Sequence, residues 1–324
     1  MKSTLLKCAG AVCVVAFLTP IPSDAGTIKH VFVIAMENRD ASKIYNNARR
    51  APYIHDTLLP NYAHATNFVD ELPGLDSEPH YIWMESGTNS FADHTFKTDG
   101  DPLAAHGKNN TGSKDHLVSE MKVANVSWMT YQEGLDPKYT NACPIVSSGR
   151  TFYAAKHNPF VFFKDVSGDP PSKDNAECIA HSKPYTDLAK DLTNGNIASY
   201  VFITPNLCND MHGATGCKNG HPIKRGDDWL KIELPPLIEW ANKNAGVIFL
   251  TWDEGSSDNK ENPSKIPFIA IGPGVKANYS GSIRYDHGSM LKSIEEIFGL
   301  RPLATVAAKD IATLNDLFKP GSYP

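Results

Sequence analysis

His30-Val31-Phe32-Val33-Ile34-Ala35-Met36 is an apolar run that Glu37-Asn38 ends at once. A run of this length, rich in β-branched and aromatic residues, suits a strand buried in a sheet. Similar runs recur at Tyr200–Thr204, Val247–Trp252 and Pro267–Ile271. Helical patterns lie between and after them, at Trp229–Lys243 and Ser289–Phe298, the second with Met290, Leu291, Ile294 and Ile297 at helical spacing. Strands alternating with helices imply an α/β fold, a three-layer αβα sandwich around a mainly parallel central sheet. In such sheets ligands bind beyond the carboxyl ends of the strands.

The residues at those ends are uniform in kind. The first strand runs into Glu37-Asn38. Tyr200–Thr204 runs into Pro205-Asn206, with Asp210 and His212 close behind. Val247–Trp252 runs into Asp253-Glu254. A solvated acidic loop face is the bland reading, but such a face need not begin each time at the last apolar residue. One site is expected there.

Residues 1–25 read as a secretory signal: Lys2, an apolar run from Leu5 to Leu18, Pro20 and Pro22, then small residues before Gly26. The run is too short to be a stable membrane anchor. Residues 26–324 contain no linker, charge block or repeat and are expected to form a single domain. A formal net charge of −5 and a pI of about 6.2 advertise no basic face for nucleic acid. Neither composition nor pattern fixes the oligomeric state. After signal removal Cys143, Cys178, Cys208 and Cys217 remain, an even set that points to disulfides in an exported chain. Pairing of neighbours, Cys143–Cys178 and Cys208–Cys217, is preferred among the three possible pairings. A four-thiolate zinc site lacks the C-x-x-C spacing it would need.

Asp76-Ser77-Glu78-Pro79-His80-Tyr81 reads as a loop feeding a helix, with Pro79 in the first turn and Ser77 as its cap or just before it. An isolated serine there is ordinarily only an N-cap. The free amides and positive dipole end of a helix start also suit an alkoxide and an incoming phosphate. Beside a cation held by the acids, such a hydroxyl can become a nucleophile.

Taken with Ser86-Gly87-Thr88, Ser127–Glu133, Lys156-His157-Asn158-Pro159-Phe160, Thr204-Pro205-Asn206, Gly226–Leu230, Thr251–Gly255 and Asp286-His287-Gly288-Ser289, these segments follow one another as in a known family. The chain resembles, from Lys29 to about Leu300, the phosphoesterase family of acid phosphatases and bacterial phospholipases C, a branch of the alkaline phosphatase-like superfamily. The resemblance implies an alkaline phosphatase-like fold. It also implies one divalent metal ion gathered by Glu37, Asn38, Ser77, Asp253 and Glu254, with His157, His212 and His287 around the phosphate. An oxygen-rich shell favours Mg²⁺, Mn²⁺ or Ca²⁺. Where two-metal relatives carry a carboxylate, this chain has Asn206, so one ion is expected, with histidines supplying the other's charge and Asn206 on the substrate side.

The implied activity is a secreted, metal-dependent phosphomonoesterase, an acid phosphatase acting on a small phosphate ester through a phosphoserine on Ser77. His212 or His287 would protonate the leaving group, and cationic histidines would give an acidic optimum. Phosphodiesterase or phospholipase C action is the alternative. A non-catalytic phosphate-binding protein is another, against which the intact Ser77 and acids count. A sulfatase is excluded by the missing Cys/Ser-x-Pro-x-Arg segment. His30, His55, His64, His106, His116, His181 and His221 read as ordinary structural histidines. His80 is open between substrate contact and packing, Tyr131 and Glu133 between pocket and scaffold. Asp227 reads as a cap, and Asp210 as orienting a histidine or standing at the second-ion position.

Overall fold

The computed structural model describes residues 28–103, 108–135, 141–256, 263–307 and 310–324. The signal segment and His106 lie outside them. Eight strands form one sheet: β1 (His30–Met36), β2 (Ala63–Ala65), β3 (Trp128–Gln132), β4 (Ser182–Pro184), β5 (Tyr200–Thr204), β6 (Gly246–Trp252), β7 (Phe268–Ile271) and β8 (Tyr279–Gly281). Their order is β4-β3-β5-β1-β6-β7-β2-β8. The β4, β3, β5, β1 and β6 neighbours all pair in parallel, while β7 runs antiparallel to both β6 and β2. The sheet is thus mainly parallel, as expected, with one reversed strand.

The interior strands owe their place to composition. Val31 to Met36 and Val247 to Trp252 are buried along their whole length. A strand with no polar face can satisfy its surroundings only with layers on both sides. Burying each such Val, Ile, Leu or Phe side chain stabilises the fold by roughly 1.5–3 kcal/mol. Parallel pairing of β5, β1 and β6 aligns their carboxyl ends, so Glu37, the Asn206–Asp210 loop and Asp253 emerge on one edge. The backbone ties this edge together: Glu37 N donates to Asp210 O at 2.8 Å and Asp253 N to Met36 O at 3.0 Å.

Two helices begin earlier than their apolar periodicity suggests. Pro222–Lys243 starts on a proline that suits a first turn, behind His221 as N-cap. His287–Phe298 starts inside a capping box built by Asp286 and Ser289. Asp227 is indeed a cap, but of another segment, accepting the amides of Tyr53 and Ile54 at 3.0 Å each. Gly226 has a packing reason: a Cβ there would stand 2.3 Å from Met211 Cγ, so only glycine lets the loop bearing Asp210 and His212 lie on the helix. The disulfides Cys143–Cys178 and Cys208–Cys217 are formed, the second closing that same loop.

His116 acts structurally. It is fully buried, Nδ1 2.9 Å from Glu85 and Nε2 3.1 Å from Asp165, and stacks on Phe163. Both partners are acceptors, so both nitrogens donate and the ring is an imidazolium. Burial works against that charge, yet the hydrogen bonds and charges of Asp165 and Glu85 outweigh it and raise the pKa to about 9. A histidine raised above its unfolded value stabilises fully below about pH 6.5 and loses that contribution as pH climbs through 9. The stability gap between wild type and His116→Gln should therefore be a few kcal/mol at pH 6 and shrink by pH 9.5. Denaturant melts across that range test it, and a pH-independent gap would refute the imidazolium.

Candidate active site

Ser77 is the first residue of the helix Ser77–Ser86, one position inside the expected cap, with extended Asp76 before it. At this position its side chain is free of capping and turns to the acids. Ser77 Oγ lies 3.1 Å from Glu37 Oε2 and 3.3 Å from Glu254 Oε1, and is itself buried. Residues 40 and 177 positions apart in sequence thus meet at one hydroxyl. Asn38 takes the left-handed conformation (φ 43°), which asparagine tolerates better than most residues. That turn aims its backbone N–H at Asp253 Oδ1, 2.9 Å away, while its side-chain amide donates to Glu254. Glu37, Asn38, Ser77, Asp253 and Glu254 are therefore brought together.

Charge in this cluster is unbalanced. Burial, foremost, pushes Glu37 up to about 8, with Asp210 and Glu254 adding to it. Glu254 rises to about 8 through burial and the nearby Asp253, Asp210 to about 7 mainly through burial, and Asp253 stands well above its usual range. Asn38 Oδ1, Asp210 Oδ2, Asp253 Oδ2 and His157 Nε2 are buried without a hydrogen-bond partner. Unsatisfied buried acceptors beside mutually repelling carboxylates are what a hard cation would relieve. The residues fit a metal ion of the kind expected.

A carboxylate–histidine group also fits a metal by spacing: ligand atoms of Asp70, His80 and Glu254 lie within 4.8 Å of one another. His80, however, donates both ring nitrogens, to Asp76 O at 2.8 Å and Asp70 Oδ1 at 2.9 Å. Burial opposes its charge, but Asp70 and Glu71 overcome that and lift it to about 10. His80 is thus a buried cation beside Asp253 and Glu254 and an anchor for the residue before Ser77.

The histidines divide. His157 reaches the cluster: it stacks on Tyr81, and its Nε2 lies 3.2 Å from Glu37 Oε1, which also accepts from Tyr81 Oη at 2.7 Å. Burial first, then Lys156 and His212, hold its pKa well below the usual value, so it is neutral. His212 is exposed at the rim, its N–H bound to Asp210 Oδ1 at 2.9 Å; burial, Lys156 and Arg39 lower its pKa. Asp210 thus orients the backbone of His212, not its ring. His287 departs from the expected role at the phosphate. Its Nδ1 is 2.8 Å from Glu71 and its Nε2 2.9 Å from Trp252 O, so the buried ring is spent on scaffold. Asn206 departs too, its Oδ1 accepting the Cys208 amide in a local turn. Glu133 accepts from Asn206 N and Asn209 Nδ2, and Tyr131 donates to Asp191. Both are scaffold contacts.

Asp70, Glu71, Tyr81, Asp99 and Lys156 are the neighbours that sequence reasoning missed. A tyrosine four residues after a helical Ser77 lies on the same helix face, and that was a usable signal. Asp70 and Glu71 sit in no pattern.

The Phosphoesterase family model matches residues 49–301. The chain is 28% identical over 275 residues to a phosphatidylinositol-3-phosphatase of Mycobacterium tuberculosis, covering 85% of this chain and 78% of the relative. It is 27% identical over 282 residues to a probable acid phosphatase of Kluyveromyces lactis, covering 84% of this chain and 58% of the relative. With a phosphate-repressible acid phosphatase of Penicillium chrysogenum it shares 27% identity over 70% of this chain and 50% of the relative. The chain thus spans about half the length of the fungal relatives. Among solved structures, murine ectonucleotide pyrophosphatase/phosphodiesterase 5 aligns with a TM-score of 0.56 at 11% identity, covering 90% of this chain and all of that one. A protein of the alkaline phosphatase superfamily from Vibrio parahaemolyticus aligns at 0.52 and 10% identity, covering 89% and 71%. These likenesses show a shared fold, the α/β architecture with one mainly parallel sheet. With four-fifths of its length carrying the family's pattern around a serine set among acids, the chain belongs to the phosphoesterase family of phosphoric-ester hydrolases.

Proposed function

We propose that the protein is an exported, metal-dependent phosphomonoesterase working through a phosphoserine on Ser77. The observation that carries this is the approach of Ser77 Oγ to Glu37 and Glu254 at the start of a helix. A divalent ion held by Glu37, Asn38, Ser77, Asp253 and Glu254 would supply Lewis acidity toward the serine oxygen and a phosphoryl oxygen.

The chain's own residues then do the following. Glu37 or Glu254 receives the Ser77 proton along the existing contacts, and Oγ attacks phosphorus in line. The ester P–O bond breaks, and the leaving oxygen takes a proton from His212, at the solvent-facing rim. Water enters on that side, gives a proton back to His212 and breaks the Oγ–P bond; Oγ recovers its proton from the glutamate that took it, and phosphate is released. His287 is replaced in this scheme because its nitrogens are occupied. Export is supported by the two disulfides. Among the described residues no helix is long and apolar enough to cross a membrane.

Purified protein with Mg²⁺, Mn²⁺ or Ca²⁺ should hydrolyse 4-nitrophenyl phosphate at least about tenfold better, in kcat/KM, than the diesters bis(4-nitrophenyl) phosphate or 4-nitrophenyl phosphorylcholine, a margin of about 1.4 kcal/mol. Preference for either of the other two would move the assignment to the diesterase or phospholipase C alternative. Hydrolysis of none would remove it.

A further inference from the structure

Lys156 lies beside the acid cluster with a side chain only 21% exposed. The segment that carries it is fixed on both sides: Ala155 N donates to Ser147 Oγ at 2.9 Å, and Thr204 Oγ1 donates to His157 O at 3.1 Å. Its ammonium bonds Asp99. Asp99 in turn accepts the amide of Glu78 at 3.0 Å and donates its own amide to Asp76 at 3.1 Å. The residues on either side of Ser77 therefore hold the carboxylate that holds the ammonium.

The charge is directed at the site. Lys156 acts on Glu37 and Asp210, lowering both, and Glu37 and Asp253 act back on it. Arg39 also acts on Glu37, Asp210 and Asp253, but its terminal nitrogens are tied to the backbone carbonyls of Asn38, Met211 and His212. An ammonium has three donors, and Asp99 is the acceptor for Lys156 among the described residues. Glu37, Asp210, Asp253 and Glu254, if all ionised, carry four negative charges; one divalent ion halves them, and the cations of His80 and Arg39 offset more but are held by Asp70, Asp76 O and backbone carbonyls rather than open to a ligand. A phosphate monoester arriving with two more negative charges needs a further cation, and a singly charged diester needs it less.

We infer that Lys156, held in place by its own segment and paired with Asp99 until a ligand competes for it, is the residue that selects substrates by charge: its ammonium pairs with a phosphoryl oxygen of a dianionic monoester and disfavours monoanionic diesters. This rests on the phosphoesterase reading of Ser77. The anion it recognises is a terminal phosphate group, whatever the alcohol attached.

The test compares wild type, Lys156→Met, Lys156→Arg and Asp99→Asn, each as full mature chain with metal. The readouts are kcat/KM for 4-nitrophenyl phosphate and for bis(4-nitrophenyl) phosphate, and Kd for inorganic phosphate by calorimetry. Lys156→Met should lose about 10²-fold on the monoester, the scale for removing one charge-stabilising donor. It should lose less than about tenfold on the diester, and phosphate affinity should fall with the monoester. Lys156→Arg should restore most of the monoester rate. Asp99→Asn removes the counter-charge, so phosphate should bind as well or better. Equal losses on both esters with phosphate affinity retained would overturn the inference, as would weakened phosphate binding in Asp99→Asn, which a purely structural tie predicts. If Lys156→Met does not fold, the arginine and asparagine variants still decide. A wild type inert toward both esters would instead sink the Ser77 reading itself.

Discussion

Ser77→Ala should lower kcat on 4-nitrophenyl phosphate by at least about 10³-fold while leaving the fold intact, because removing a nucleophile removes a whole covalent route. Among the described residues the hydroxyl bonds Glu37 and Glu254 and no backbone group, so alanine costs the helix nothing at its start. Trimming the donor leaves both buried acids less satisfied, an effect of about 1–3 kcal/mol. Activity with a parallel thermal melt checks this. A variant that keeps a tenth of the wild-type rate would show that Ser77 is scaffold.

Removing divalent ions should have an effect of similar size on activity and a distinctive one on stability. Without a cation, Glu37 and Glu254 sit near 8, Asp210 near 7, and Asp253 far above its ordinary value, with burial the largest cause in each case. The unfolded carboxyls titrate near 4, so between about pH 4 and 8 the folded chelated protein binds more protons than the unfolded one. The slope of stability with pH is then negative, and the chelated protein weakens as pH rises through that window. A divalent ion pairs with the ionised forms, so it should raise the melting temperature more at pH 8 than at pH 5. Melts in chelator and in Mg²⁺, Mn²⁺ or Ca²⁺ at both pH values measure this. Curves that do not respond to metal would remove the ion from the account.

An acidic optimum now rests on one histidine: His212 must be protonated to serve the leaving group, and its lowered pKa places that form at acid pH. His157 and His212 both lie below the usual range. The histidines that do carry charge, His80 and His287, are walled in by Asp70, Asp76 O, Glu71 and Trp252 O. Positive charge at the pocket falls instead to Lys156, which stays protonated through neutral pH, its pKa raised by Glu37 and Asp99 against the pull of burial.

The central strands were legible because they are apolar on both faces; β1 and β5 fall where their runs begin and end. The sheet's outer parts were not. β2, β4 and β8 have three residues each, too few for any period, and β3, Trp128-Met129-Thr130-Tyr131-Gln132, is neither a continuous apolar run nor a strict alternation. The antiparallel sense of β7 has no local signal, since direction is set by where the chain returns. The same logic divides the site. Glu37, Asn38, Asp253 and Glu254 end long runs and could be read from them. Asp70 and Asp99 arrive from loops whose sequence records nothing of what they face. Ring commitments such as that of His287 depend on partners 216 residues away.

Phosphate trapping tests the central claim most directly. Protein turning over a labelled phosphomonoester is quenched in acid and digested, and the labelled peptide is sequenced. Label on the peptide containing Ser77, at that residue, is the expected result. An enzyme that turns over yet carries no label, or carries it on another residue, would contradict the account.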